Sequence, residues 1–256
     1  MYWKRTMKRG GQVECEIAHG KRLIEAGAEN VWGWDTPAGR ERVTARVRWL
    51  TQVCHLREGV RVLECGCGTG VFTEQLAWTG ARITAVDISN DLLERARERC
   101  RQPNVSFQRC NLEEPDELPD AGFDAMVGIS VLHHLDLKRA LPALRRTVRL
   151  GANVAFSEPN FLNPINKYIF SDDPSRRERL GVSPKEMAFR PRELREAFQS
   201  AGFAVTSLSH RDFLHPQVPG LLIPLVKAGQ YFVERLPVIR RWSGSLWIHA
   251  VKPPVF

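Results

Sequence analysis

The chain has 256 residues, enough for one large α/β domain, alone or with a cap. Its formal charge is +8, but 29 of the 37 basic residues are arginine, a usage that often reflects codon bias. Charge therefore does not argue for nucleic acid, although a basic surface attracts phosphates and anionic lipids. Six cysteines (Cys15, Cys54, Cys65, Cys67, Cys100 and Cys110) include no C-x-x-C pair. That spacing fits neither a zinc site nor a disulfide framework, and suits free thiols in a reducing cytoplasm. The basic start (Met1 to Arg5) has no apolar run behind it, so no secretory signal is expected. No apolar stretch reaches the ~20 residues that span a bilayer.

Residues 1–58 are expected to form a helical N-terminal cap. Val43, Val47, Leu50 and Cys54 recur every three or four residues, which predicts an amphipathic helix over Pro37 to His55. Trp32, Trp34 and Asp35 just before it form either a packed corner or a cofactor lid. A core over 59–158 then alternates strands (60–64, 82–87, 105–109, 123–128, 152–157) with helices (69–79, 89–101, 137–149). Alternation of this kind predicts a doubly wound, mostly parallel sheet of Rossmann-like type. A further helix is expected at Arg192 to Ala201, a strand at Phe203 to Leu208 and a last strand at Ser245 to Val251. Two insertions interrupt the pattern. Residues 159–190 are polar and turn-rich and predict a substrate lid. Residues 212–243 carry a helical pattern with Leu222, Leu225, Val226, Gly229, Phe232, Val233 and Leu236 on one face. Lys227, Gln230 and Glu234 mark the opposite stripe. The plainer expectation packs that apolar face on the domain, without stable membrane association. The sharper one lays it on a membrane surface, with Arg235, Arg240, Arg241 and Trp242 at its end.

Val62 to Gly70 reads V-L-E-C-G-C-G-T-G. A buried strand ends in Gly66, Gly68 and Gly70, and a helix begins. Glycines here let backbone N–H groups approach a ligand. The second strand ends on Asp87, placed to accept from ribose hydroxyls. A dinucleotide fingerprint would need a third glycine where Val71 stands, and Glu64 is a poor neighbour for a pyrophosphate. Glu64 suits a cationic ligand instead. With Asn111-Leu112 after the third strand and F-D-A-M-V-G-I-S-V-L-H-H-L over Phe123 to Leu135, the chain resembles the class I S-adenosylmethionine-dependent methyltransferases. It resembles the broad type that includes the ubiquinone and menaquinone biosynthesis enzymes. The resemblance covers about Val60 to Phe156 and the last strand.

The resemblance implies a seven-stranded sheet whose last strand runs antiparallel beside the sixth. It implies that S-adenosylmethionine is the cofactor. Glu64 and Gly66 would hold the methionine ammonium with help from the Ile129 backbone, and Ser130 would also belong to the cofactor site. Cys67 and Gly68 would line the methionine and ribose, and Asp87 would bind the ribose hydroxyls. Ile88 would pack on the adenine, and Asn111 with the Leu112 backbone would read its edge. Many relatives have Asp at the position of Asn111, whose amide oxygen can accept the same bond.

Methyl transfer needs a base only for some acceptors. His133 or His134, after the fourth strand, could take the acceptor proton; alternatively both pack beneath the lid. Glu158, Asn160, Asn163 and Asn166 stand where an acceptor approaches. No metal and no obligate protein partner are expected. The expected acceptor is a small apolar molecule (a lipid, isoprenoid or secondary metabolite) in the cytoplasm or at a membrane surface. The alternatives are an RNA or protein methyltransferase and a nicotinamide-dependent dehydrogenase. RNA is disfavoured because no appended RNA-binding module or N-P-P-Y-type motif is present.

Overall fold

A computed structural model describes residues 10–180, 182–183 and 186–254. The N-terminal peptide Met1 to Arg5 and the turn residues Gly181 and Pro184 lie outside the described residues. Three helices precede the sheet: α1 (Gly10–Ala26), α2 (Ala28–Trp32) and α3 (Pro37–Val53). The spacing of Val43 and Leu50 predicted α3, and both side chains are buried. Thr36 starts it, its hydroxyl accepting from the Gly39 N–H at 2.9 Å, with Pro37 in the first turn.

The core follows the predicted alternation. Strand β1 (Arg61–Cys65), α4 (Val71–Ala77), β2 (Arg82–Asp87), α5 (Asn90–Arg99), β3 (Val105–Arg109), β4 (Phe123–Ile129), α6 (Leu137–Thr147) and β5 (Val148–Pro159) come in chain order. The first lid insertion holds two short helices, α7 (Pro164–Ile169) and α8 (Pro174–Arg179). Then come α9 (Pro191–Ser200), β6 (Ala204–Arg211), α10 (Ile223–Val233) and β7 (Ser245–Val251).

Among the described residues the strands form one seven-stranded sheet, ordered β3-β2-β1-β4-β5-β7-β6. Strands β1 to β5 are parallel, and β7 lies between β5 and β6, antiparallel to both. The order reverses between β1 and β4, and an open α/β sheet binds ligands outside its carboxyl edge at such a switch point. Two apolar layers seal the sheet. Val62, Ile83, Ala85 and Leu93 pack on the α3–α4–α5 side. Met126, Leu141, Phe156 and Phe198 pack on the α6–α9 side.

The two helices of the 159–190 insertion are short, and the insertion is held by side-chain hydrogen bonds and by Phe189, which joins the main core. Asn163 caps α7, its oxygen accepting from the Ile165 and Asn166 N–H groups. The insertion before β7 is anchored on α3: Ile223 packs with Ala38 and Leu214. A buried ion network adds to this, Asp212 lying 3.0 Å from Arg42 and 2.6 Å from Arg46. Arg46 also donates to Ser157 and Ser245 hydroxyls, so the guanidinium is satisfied while only 2% exposed.

The face of α10 departs in part from the plainer expectation: Val226 packs on the Ala38–Leu214 cluster, but most of the predicted apolar face is turned out. Its polar stripe points at the protein. Lys227 bonds Glu41 at 2.6 Å, Gln230 accepts from the Phe213 N–H, and Glu234 accepts from the Asp212 N–H and from Arg211. Leu225, Phe232 and Leu236, expected to be inside, are exposed. The loop that precedes the helix explains this. The Asp212 and Phe213 N–H groups lie just past the end of β6, and Glu234 and Gln230 of the polar stripe accept from them. No helix among the described residues is long and apolar enough to cross a membrane.

Candidate functional site

At the carboxyl edge of β1, β2 and β4 the backbone opens into a cavity of about 650 Å³. The glycine turn forms one wall. Gly66 has φ 66°, and a Cβ there would sit 2.4 Å from Val131 Cγ2. Gly70 has φ 78°, and its Cβ would press on the Ala96 backbone of α5 at 3.0 Å. Both conformations favour glycine. The close approaches are thus to the protein's own loop and helix, as well as to whatever fills the cavity. The Gly68 N–H donates to Asp87 Oδ2 at 2.9 Å, joining the first two strand ends. Trp32 and Trp34 line the cavity, and the Trp32 ring covers Gly68.

Asp87 is 9% exposed and faces the cavity. Burial raises its pKa, opposed by the Ser89 and Gly68 N–H groups that bond its oxygens. Each oxygen keeps further lone pairs for a ribose hydroxyl. Gly66, Cys67, Gly68, Ile88, Asn111, Leu112, Ile129 and Ser130 also line the cavity, which brings all the sequence-predicted cofactor residues except Glu64 onto its wall. Asn111 Oδ1 accepts from the Glu113 N–H at 3.1 Å, so part of its acceptor capacity is spent locally.

Glu64 is buried behind the lining, 3% exposed, and its Oε2 has no hydrogen-bond partner. Burial pushes its pKa up to about 8, with the Asp87 charge adding to the effect and Thr73 opposing it. An orphaned carboxylate oxygen is costly unless a cation meets it. The residues therefore fit a ligand with an ammonium near β1 and a ribose near β2, which is the charge pattern of S-adenosylmethionine.

Across the cavity stands a histidine cluster. His133 is 5% exposed, and its Nδ1 lies 2.9 Å from Glu158 Oε2. Its Nε2 lies 3.6 Å from Glu186 Oε1. Burial alone would depress the ring's pKa, yet the two carboxylates hold it up at about 9. Glu186 moves the other way, down to about 2: burial raises it, but the bond to His133 and the His134 and His133 charges together outweigh burial. His134 pairs with Glu16 of α1 at 3.2 Å. Glu16 in turn accepts from the Ser183 hydroxyl of the lid, and His19 lies nearby, its ring centroid 6.4 Å from that of His134. The Met187 N–H donates to the His133 carbonyl. The lid is thereby fastened to both histidines.

The acceptor-side expectations need correction. Glu158 is 1% exposed and does not face the cavity. Its carboxylate accepts from the Val131, Leu132 and His133 N–H groups as well as from the ring. Asn160 is wholly buried, its amide donating to the Arg241 and Ser243 carbonyls. Asn163 caps α7 and donates to the Trp242 carbonyl at 2.6 Å. All three hold loops together because three strand-end loops converge there with backbone groups to satisfy. Asn166 does line the cavity.

Sequence reasoning missed Glu16, His19 and Glu186. Glu16 and His19 lie three apart, on one face of a helix that was not delimited. Arg46 left a clearer signal: it interrupts the apolar stripe between Val43 and Leu50. His133, His134 and Glu186 place three donor atoms within 4.8 Å of one another, a spread a divalent cation could draw in. A protonated His133 already lies between the Glu158 and Glu186 carboxylates.

Comparison with known proteins bears on this site. A family described as methyltransferase domain matches residues 62–151. The chain is 33% identical over 129 residues to a ubiquinone biosynthesis O-methyltransferase of Alkalilimnicola ehrlichii, covering 49% of this chain and 51% of that one. It is 29% identical over 185 residues to a demethylmenaquinone methyltransferase of Tropheryma whipplei, covering 64% and 76%. The chain spans about half the length of several curated relatives it matches. Its fold is similar to that of a magnesium protoporphyrin IX methyltransferase from Synechocystis, with TM-score 0.64, 15% identity and coverage of 94% and 99%. Over residues 62–151 the chain matches a methyltransferase domain, and from its glycine turn to its antiparallel last strand its fold is similar to that of a solved methyltransferase.

Proposed function

We propose that this chain transfers a methyl group from S-adenosylmethionine to a small, apolar acceptor held between the glycine turn and the histidine cluster. The observation that carries the reading is the pair of buried carboxylates, Glu64 with an unpartnered oxygen and Asp87 facing the cavity. Glu64 takes the ammonium, aided by the backbone at Gly66 and Ile129. Asp87 takes the ribose hydroxyls, and Asn111 and Leu112 take the adenine edge. The bound sulfonium supplies an already activated methyl, so the protein's task is alignment and exclusion of water. Trp32, Trp34 and the lid over 159–190 perform that exclusion.

The two histidines divide the acceptor side. His133 is an imidazolium held between Glu158 and Glu186, so it presents positive charge rather than a base. His134 lines the same cavity and accepts the acceptor's proton where one must leave, with Glu16 stabilising the resulting imidazolium. An apolar acceptor is supported by the cavity's Val13, Leu23, Trp34 and Phe72, and by the quinone-pathway names of the relatives. Whether oxygen, carbon or nitrogen is methylated is decided by the acceptor itself.

Titration calorimetry with S-adenosylhomocysteine and with NAD tests the cofactor, with binding of the first only expected. Labelled S-adenosylmethionine with a cell extract, followed by mass spectrometry, identifies the acceptor. A labelled nucleic acid or protein, with no labelled small molecule, would overturn the reading.

A further inference from the structure

The most unusual surface of this molecule is the insertion between β6 and β7. A surface helix ordinarily turns its polar face to water and its apolar face to the core. Here α10 turns only Ile223 and Val226 inward, onto Ala38 and Leu214, and leaves most of its apolar side out. Lys227, Gln230 and Glu234 are engaged by the body of the protein, through Glu41, Phe213 and Asp212. The outward side carries Leu221, Leu225 and Phe232, exposed by 92%, 71% and 65%. Leu236, Val238 and Trp242 continue it as exposed groups beyond the helix. Apolar surface this concentrated marks an interaction site.

Charge selects the partner. Over residues 220–243 the basic residues are Lys227, Arg235, Arg240 and Arg241, against one acid, Glu234. That acid is turned inward, where it pairs with Arg211 at 2.6 Å. The outward side is therefore apolar and purely cationic. A second copy of this chain would bring arginine against arginine. A bilayer with anionic headgroups offers both complements at once, acyl chains for Leu225 and Phe232 and phosphates for the arginines.

Position relates the surface to the site. The Asn160 and Asn163 amides hold the Arg241 and Trp242 carbonyls, and Asn166 holds Gly244. Asn166, Gly244 and Ser245 line the cavity. The end of the insertion is thus also part of the cavity's rim, and α7 beside it exposes Ile165 and Tyr168.

We propose that the outward face of α10, together with the Arg240–Arg241–Trp242 turn, docks this protein onto an anionic membrane surface and opens its cavity toward that surface. The consequence for the proposed methyl transfer, on whose reading this part alone rests, is an acceptor with a lipid-soluble tail. The protein is held at the interface and does not span it.

Co-sedimentation of the full chain with vesicles tests the docking without any methyl transfer. With phosphatidylcholine containing a third phosphatidylglycerol, we expect partitioning at least ~10-fold above that for phosphatidylcholine alone, weakening with salt. The paired change Arg240→Glu and Arg241→Glu should remove the preference for anionic vesicles. The paired change Leu225→Glu and Phe232→Glu should lower binding to both vesicle types. These side chains are exposed, and unchanged S-adenosylhomocysteine affinity would show the variants folded. No binding of the unaltered chain to either vesicle overturns the proposal. So does a dimer in light scattering that Leu225→Glu dissociates while vesicle binding is absent, because a second copy then covers the face. Vesicle binding by a chain that does not bind the cofactor would leave docking standing and remove the methyl-transfer reading.

Discussion

Glu158 Oε2 lies 2.9 Å from His133 Nδ1, and the same carboxylate accepts the backbone N–H groups of Val131, Leu132 and His133. One buried charge thus fixes both the loop after β4 and the ring that loop carries. Glu158→Gln keeps the size of the side chain, removes the charge and turns one acceptor into a donor facing N–H groups. Unfolding should become easier by about 1–3 kcal/mol, the cost of buried donors left unpaired. NMR titration should show the His133 pKa moving down from about 9. An unmoved His133 pKa would mean that Glu186 alone holds the charge.

The same cluster sets a pH window. His133 titrates at about 9 when folded, above its ordinary 6.5. Its protonated form therefore stabilises the fold fully below 6.5, and this contribution is lost as pH rises through about 9. Glu186 titrates at about 2, below its ordinary 4.5. Its contribution is present above 4.5 and is lost as pH falls through about 2. The two belong to one coupled pair, so the stabilisation is whole between 4.5 and 6.5. The melting temperature of the wild type should exceed that of His133→Gln most in this window. The gap should close as pH approaches 9. A gap constant from pH 5 to 9 would refute the charged pairing.

The elements around the glycine turn were legible because their signals are local. β1, the glycine turn and β2 ending on Asp87 need only strand patterning and the backbone demands of a tight turn. The partners of the histidines were not legible. Glu16 comes from α1 and Glu186 from the lid, each far from residue 133 in sequence, and only tertiary packing brings them together. Glu158 and Asn160 were legible as strand-end polar residues, but not their direction. Chemistry at a sheet edge suits a substrate ligand and a loop clamp equally well, and the number of unpaired loop N–H groups decides between them. The helical period of α10 was also plain. Its orientation was decided by polar groups on another segment, Phe213 and Asp212, that no local pattern reports.

Asp87 joins the glycine turn to the end of β2, bonding the Gly68 and Ser89 N–H groups. Asp87→Asn keeps one side-chain oxygen for these donors and loses the charge. Asp87→Ala leaves them and the ribose hydroxyls unpaired. Cofactor affinity should fall by about 1–3 kcal/mol in the Ala variant and by less in the Asn variant. Calorimetry with S-adenosylhomocysteine measures both. Equal affinity in all three proteins would place the ribose elsewhere.

Glu64 leads to a prediction independent of activity. Burial holds its carboxyl up at about 8, so at pH 7 it is mostly protonated before the cofactor arrives. Its Oε2 is without a partner in that state. An ammonium brought against it favours the ionised form and drives the pKa down. Binding should then release about one proton per cofactor bound at pH 7. Calorimetric titrations with S-adenosylhomocysteine in phosphate and in Tris expose this, because the released proton adds each buffer's own heat of protonation to the observed enthalpy. Glu64→Gln, which cannot ionise, should bind more weakly and show the same enthalpy in both buffers. A wild-type enthalpy that is already independent of the buffer would mean that the ammonium does not meet Glu64. The buried carboxyl would then be a structural acid facing Thr73 of α4.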